Sequence, residues 1–281
     1  MNVIQAAILV IVPVLAEFLP ISSSGHLELC QHLMGLSGEG SEMMLLTVLL
    51  HAGTLVAVMV IFWEDWWGIL KNLFRSRLLG LLFLASVPAL IAALAMDMDQ
   101  LFGSGFLGIA FIITGLFLML TEKLSSRARQ AERRRAKGQE EVGVKHALAM
   151  GLMQVVALMP GVSRSGSTLL GGVASGLNRK SAAKFSFMMS APAILGSLLV
   201  EGKSAYEAGA FAFLADNLLP VAVGVVLAAI SGYLAIRYML KLINRISFHW
   251  FALYVFVLGA VVIVLQLTGV GNLPAISFPF L

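Results

Sequence analysis

Pro20-Ile-Ser-Ser-Ser-Gly-His26 and Pro160-Gly-Val-Ser-Arg-Ser-Gly166 are two short polar stretches in an otherwise very apolar chain. With Gly161 taken as an extra residue, Ser22, Ser24 and Gly25 align with Ser163, Ser165 and Gly166, an offset of about 141 residues that splits the chain into two related halves. Hydroxyl-rich breaks inside apolar runs are costly in lipid, because the backbone groups released there find no water. Such breaks line a site more readily than they lie idle.

Composition fixes the surrounding solvent. Of 281 residues, 59% are hydrophobic and 12% charged, and the mean hydropathy is +0.93; soluble domains are only about 45–50% apolar. The expected class is an all-α polytopic membrane protein. Six runs are long and apolar enough to span: Leu45 to Phe62, Leu78 to Met96, Gly105 to Thr121, Phe185 to Val200, Leu218 to Tyr238 and Trp250 to Leu267. Residues 4–34 and 147–177 are apolar at both ends and broken near the middle by the repeated motif. These read as re-entrant helical hairpins, a geometry tolerated where the turn is buried in protein or faces water. No basic n-region or small-residue cleavage site precedes Pro20, so the first stretch reads as a retained element and not a signal peptide. The single cysteine, Cys30, excludes an intrachain disulfide and reads as a small buried hydrophobe.

The charges give this layout an orientation. If the hairpins do not cross, all but Arg164 and Lys203 of the 19 Lys and Arg fall in loops around 71–77, 122–146, 179–184 and 237–245, which the positive-inside rule assigns to the cytoplasm. Glu39, Glu42, Asp97, Asp99, Glu201, Glu207 and Asp216 fall on the other side. Both termini are then outside. Residues 1–140 form one repeat and 141–281 the other, each with three spans, so the halves are inverted and their two turns meet near the midplane. The basic run Arg127 to Lys137 reads as an orienting loop, with no nucleic-acid partner required.

Ionisable residues at membrane depth carry the chemistry, since each costs about 2.5–3.5 kcal/mol even on insertion scales. They are Glu17, His26 and Glu28 in the first hairpin and Arg164 in the second, with His51 opening a span. The Arg164 guanidinium matches phosphate oxygens, and Ser163, Ser165, Ser167 and Thr168 add hydroxyl donors. The half-helices after each break aim N–H groups and positive dipole ends at the same anion. Opposite lie Ser23 or Ser24 as nucleophile, His26 as base or acid, and Glu17 as metal ligand or orienter of the histidine. Simpler readings stand beside these: serines that only cap helices, a Glu17 that only pairs with Arg164, a satisfied core His51, and Gly172 with Gly176 packing helices. Soluble serine hydrolases are excluded, because Gly161-Val-Ser-Arg-Ser165 lacks the last glycine of a nucleophile elbow. There is no Walker A loop or paired-His zinc helix either.

Glu17-Phe-Leu-Pro-Ile-Ser-Ser-Ser-Gly-His-Leu27 and Pro160-Gly-Val-Ser-Arg-Ser-Gly-Ser-Thr168 resemble the two signature motifs of the BacA-type undecaprenyl-diphosphate phosphatases. The similarity continues through Phe185-Ser-Phe187, Ala191-Pro192 and Arg245-Ile-Ser-Phe248, so it covers nearly the whole chain. The resemblance implies a hydrolase of the bacterial cytoplasmic membrane that removes the terminal phosphate of a polyprenyl diphosphate and recycles the lipid carrier for peptidoglycan. It also implies bacitracin resistance, since bacitracin competes for the diphosphate. By motif position the catalytic set is Glu17, Ser23, His26 and Arg164. Ser22, Ser24, Gly161, Ser163, Ser165, Gly166, Ser167 and Thr168 surround the substrate, and a divalent cation, Mg2+ or Ca2+, sits near Glu17. Attack by Ser23, by His26 or by water stays open, as does a homodimer.

One departure stands out. Pro13 occupies a position where the family usually carries Glu or Gln, and Val14-Leu15-Ala16 replaces its Gly-Leu-Thr. Proline there removes a backbone donor. Glu28, or more weakly Gln154, is the candidate compensating group. A second class of reading is a polyprenyl-phosphate translocase, or a paralogue that binds the lipid diphosphate without hydrolysing it, because broken helices in inverted repeats are also transporter architecture.

Overall fold

A computed structural model describes residues 3–36, 41–96, 104–132 and 141–276. The described residues form eleven α-helices and no strand. They are α1 (Val3–Phe18), α2 (Ser23–Leu33), α3 (Ser41–Ile61), α4 (Trp63–Lys71), α5 (Arg77–Ala95), α6 (Leu107–Glu132), α7 (Val144–Val156), α8 (Arg164–Ala174), α9 (Arg179–Glu207), α10 (Phe211–Leu242) and α11 (Phe248–Thr268). Segments of α5, α6, α9, α10 and α11 are long and apolar enough to cross a membrane, and α3 with α4 adds a sixth if that pair, bent by 80°, is one span. This is a multi-pass helical membrane protein. Both repeated motifs fall at breaks between short helices, α1 to α2 and α7 to α8, and in each case the two short helices pack on one another.

Several helices overrun their expected ends. The sequence predicts a loop from 122, yet α6 continues to Glu132, through residues such as Lys123, Arg127 and Ala128 that favour helix once started. The start of α9 lies at Arg179, because Asn178 caps it by accepting from Ser181 N–H at 2.8 Å. Within α10, Asn217 leaves helical geometry three residues before Pro220, whose ring and missing N–H disrupt the preceding turn. Glu39, Asp97, Asp99, the basic cluster at 133–137 and both chain ends lie outside the described residues.

Small residues bring the helices close, as packing in lipid requires. A Cβ on Gly53 of α3 would lie 2.5 Å from the Val225 carbonyl of α10, and one on Gly151 of α7 would lie 2.5 Å from the Ala85 carbonyl of α5. Gly259 of α11 would meet the Gly108 carbonyl of α6 at 2.9 Å. Gly172 packs against Ala182, as expected of a helix contact, but Gly176 adopts φ +111° just past α8 and ends that helix. Around the centre, α1 lies on α10 and α7 on α5; α3 lies on α10 and α9 on α5; α3 meets α9, and α6 meets α11.

One expected loop charge is buried. Arg179 is only 3% exposed: its Nη2 lies 2.6 Å from Glu122 Oε1, its Nη1 donates to the Ile246 carbonyl at 3.2 Å, and its guanidinium covers the Phe248 ring. Glu122 Oε2 accepts from Phe248 N–H at 2.6 Å. A carboxylate at the first turn of α11 complements that helix's positive end, so the pair ties α6, α9 and α11 together. Arg179→Met is expected to destabilise the protein by about 3 kcal/mol or more, by stranding Glu122. Arg179→Met with Glu122→Gln should cost less than the two single changes added, as measured by thermal unfolding in detergent.

Candidate active site

Each break ends in a serine that starts the next helix. Ser22 caps α2, its hydroxyl accepting from Gly25 N–H at 3.2 Å, and Ser163 caps α8, accepting from Gly166 N–H at 3.1 Å. Ser22 Oγ lies 3.5 Å from Ser24 Oγ, and Ser163 Oγ lies 3.2 Å from Ser165 Oγ. One turn on, His26 Nδ1 is 2.6 Å from the Ser22 carbonyl, while Ser167 Oγ donates to the Ser163 carbonyl at 2.7 Å. Positions aligned in sequence thus make matching contacts. Ser23 and Arg164 share one place in this scheme, the first residue of the helix.

Both of those residues reach Glu17. Arg164 Nη2 donates to Glu17 Oε1 at 2.6 Å, and Ser23 Oγ donates to Glu17 Oε2. The tips also meet directly, with Ser165 Oγ donating to the Leu19 carbonyl at 3.0 Å. Behind the second tip, Ser163 N–H donates to Thr114 Oγ1 of α6 at 3.0 Å. Gly161 turns at φ +78°, where a Cβ would come within 2.9 Å of Ala110 Cβ. Ser22 is a non-glycine residue at φ +74°, and such geometry costs about 1–3 kcal/mol, held here by the surrounding bonds.

The carboxylate, the alcohol and the guanidinium are therefore in direct contact. His26 is close in sequence to Ser23, on the same face of α2, but makes no hydrogen bond with it. Its Nε2 lies 2.7 Å from the hydroxyl of Tyr254 on α11, a residue that sequence reasoning did not single out. An aromatic in an apolar helix, 228 positions away, carries no sequence signal of that contact.

Most of the expected phosphate-binding hydroxyls already have protein partners. Ser22 and Ser163 cap, Ser165 holds the other tip, Ser167 bonds within its helix, and Thr168 donates to the Arg164 carbonyl at 2.8 Å and lies 2.6 Å from Ser186 Oγ. Ser24 is the exposed serine of the first tip. Glu28 is half-buried on α2 and does not line the cavity beside Glu17. That cavity, about 20 Å3 and enough for one water, is bordered by Pro13, Val14, Leu27, His51 and Thr54. His51 faces this cavity, and its buried Nδ1 has no protein partner among the described residues. Gln154, buried on α7, likewise leaves Oε1 unpaired among them.

Residues 6–261 match the family described as "Bacitracin resistance protein BacA". The chain belongs to the BacA family. It is 40% identical over 272 residues to a protein of Carboxydothermus hydrogenoformans named undecaprenyl-diphosphatase, covering 96% of this chain and 99% of that one. Undecaprenyl-diphosphatases of Halothermothrix orenii, 36% identical over 94% of this chain and 98% of theirs, and of Rhodopirellula baltica, 34% identical over 95% and 99%, are similar along their whole length. Within this BacA chain the tip geometry makes one glycine critical. Gly161→Ala should lower stability by about 1–3 kcal/mol and reduce activity, through strained φ and the collision with Ala110. Gly196→Ala, in open space on α9, should be neutral or slightly stabilising in the same unfolding assay.

Proposed function

We propose that this chain is an undecaprenyl-diphosphate phosphatase of the bacterial cytoplasmic membrane, hydrolysing the terminal phosphoanhydride and returning undecaprenyl phosphate for cell-wall synthesis. The observation that carries the reading is the convergence of Arg164 and Ser23, one from each tip, on the single carboxylate of Glu17. Bacitracin resistance follows, because faster consumption of the diphosphate leaves less for the antibiotic to sequester. The relatives are named for hydrolysis, and no contact in the site favours a translocase over it.

In the resting site Glu17 occupies Arg164. An arriving diphosphate competes for the guanidinium, whose fork suits two phosphate oxygens better than the single oxygen that Glu17 offers it. Glu17, released from that pairing, accepts the proton of Ser23 Oγ along the bond already in place. The serine oxygen attacks the terminal phosphorus in line; the bridging P–O bond breaks, and its electron pair leaves with undecaprenyl phosphate. Glu17 passes that proton to the departing undecaprenyl phosphate and, a carboxylate again, takes one from the water that attacks the phosphoserine and returns it to Ser23 Oγ as the phosphate leaves. Ser24, His26 and N–H groups at the starts of α2 and α8 complete the anion's surroundings, and Arg164 stabilises its charge in the transition state.

A divalent cation fits this site in one way. Glu17 supplies one carboxylate amid hydroxyl oxygens, and no group of three His, Cys, Asp or Glu gathers among the described residues. Mg2+ or Ca2+ would be held by Glu17 together with the diphosphate's own oxygens, a common arrangement for hard cations on phosphates. When bound it would neutralise negative charge on the diphosphate.

The same reading takes α1–α2 and α7–α8 as re-entrant hairpins and residues 1–140 and 141–281 as inverted repeats, with the basic side cytoplasmic and both termini outside. Matching contacts at the two tips support it. So does the helix packing, in which exchanging the halves turns α1 on α10 into α7 on α5, and α3 on α10 into α9 on α5.

Phosphate release by purified protein from undecaprenyl or farnesyl diphosphate tests the proposal. Arg164→Ala is expected to lower kcat by about 100- to 1000-fold, and Arg164→Lys to fall between that and wild type because the fork is lost. Release no faster from wild type than from Arg164→Ala would overturn the reading. Chelation with EDTA should reduce release and added Mg2+ or Ca2+ should restore it; unchanged release in EDTA would remove the cation from the scheme.

A further inference from the structure

We propose that Tyr254 is a positioning residue for this reaction, its hydroxyl holding the His26 imidazole in one tautomer and one ring orientation. The inference rests on the phosphatase reading of the site. It begins with the two partners of the ring. His26 Nδ1 is 2.6 Å from the Ser22 carbonyl, a group that can only accept, so neutral His26 carries its proton on Nδ1. Nε2 is therefore an acceptor, and the Tyr254 hydroxyl 2.7 Å away donates to it.

The rest of the surroundings fix the ring plane. Phe111 of α6 meets it edge-on with centroids 5.4 Å apart, and the Tyr254 ring lies nearly parallel to it, 13° off with centroids 5.7 Å apart. Gly25 permits this seating, since a Cβ there would lie 2.8 Å from Phe111 Cζ. Tyr254 and Phe111 stand on α11 and α6, a pair drawn together at Gly108, Gly115 and Gly259. His26 is thus aimed by two helices outside its own hairpin.

The consequence for the chemistry is a division of labour. Ser23 donates to Glu17, and the one basic nitrogen of His26 is turned to Tyr254, so the imidazole does not compete for the serine proton. Nδ1 faces the backbone, which leaves Nε2 as the nitrogen that can take a proton in the site and, once protonated, donate to a phosphoryl oxygen. A phosphate reaching His26 must share or replace the Tyr254 hydroxyl. Tyr254 is 46% exposed, so its side chain fills little of the core, and removing one oxygen leaves the ring packing intact.

Tyr254→Phe tests this directly. Its kcat should fall about tenfold with KM within about twofold of wild type and an unchanged melting temperature. In a His26→Gln background the same change should cost nothing further, because its effect passes through the imidazole. In protein labelled with 15N-histidine, the Nε2 resonance that disappears in His26→Gln should shift in Tyr254→Phe. Wild-type kcat with an unmoved resonance, or an equal loss in both backgrounds, would overturn the assignment. Full activity of His26→Gln itself would instead overturn the placement of His26 in the site.

Discussion

Glu17 is a carboxylate in an apolar protein with its side chain only 9% exposed, and the contact with Arg164 offsets the cost of that burial. An isolated charge there would be expelled or protonated; a paired one demands that its partner arrive from elsewhere in the chain. Arg164 lies 147 positions away, on the tip of the other half. Folding the two halves against each other is therefore the condition for burying either charge. On the proposed function, this ion pair is also the one that a diphosphate opens, so architecture and reactivity share one contact.

The scaffold around that contact is stiff by composition. Ser22 and Ser163 end the freedom of the two breaks by capping the next helix, Thr114 holds the second tip from behind, and Ser165 links the tips. Glycines where helices cross let backbones approach closely, which in lipid replaces the missing hydrophobic drive. The Arg179–Glu122 pair closes a separate junction of α6, α9 and α11. Since α6 and α11 carry Phe111 and Tyr254, their packing sets the orientation of His26.

Much of this was legible in the sequence for a definite physical reason. Ionisable and hydroxyl-bearing residues are so costly in apolar runs that Glu17, Ser23, His26 and Arg164 stand out without any structure. The repeated motif likewise marks both breaks, and their caps fall where the serines predict. What was not legible depends on tertiary partners. Thr168 reads only as a phosphate donor until Ser186 of α9 is found 2.6 Å from its hydroxyl. Arg179 looks like a loop cation until Glu122 and Phe248 enclose it. His51 looks like a core residue until the cavity beside Glu17 is seen. Tyr254 looks like any aromatic of an apolar helix, and local pattern carries no trace of its bond to His26.

The contact between the two tips can be tested by distance. In a Cys30→Ser background, Leu19→Cys and Ser165→Cys would place thiols on the residues joined by the Ser165-to-Leu19 hydrogen bond. A short bifunctional thiol reagent, applied to the protein in membranes, should lock them into one intramolecularly cross-linked species, with each single-cysteine protein as control. If both thiols react with a small maleimide yet no cross-link forms, the two tips do not meet and the account of the site is contradicted.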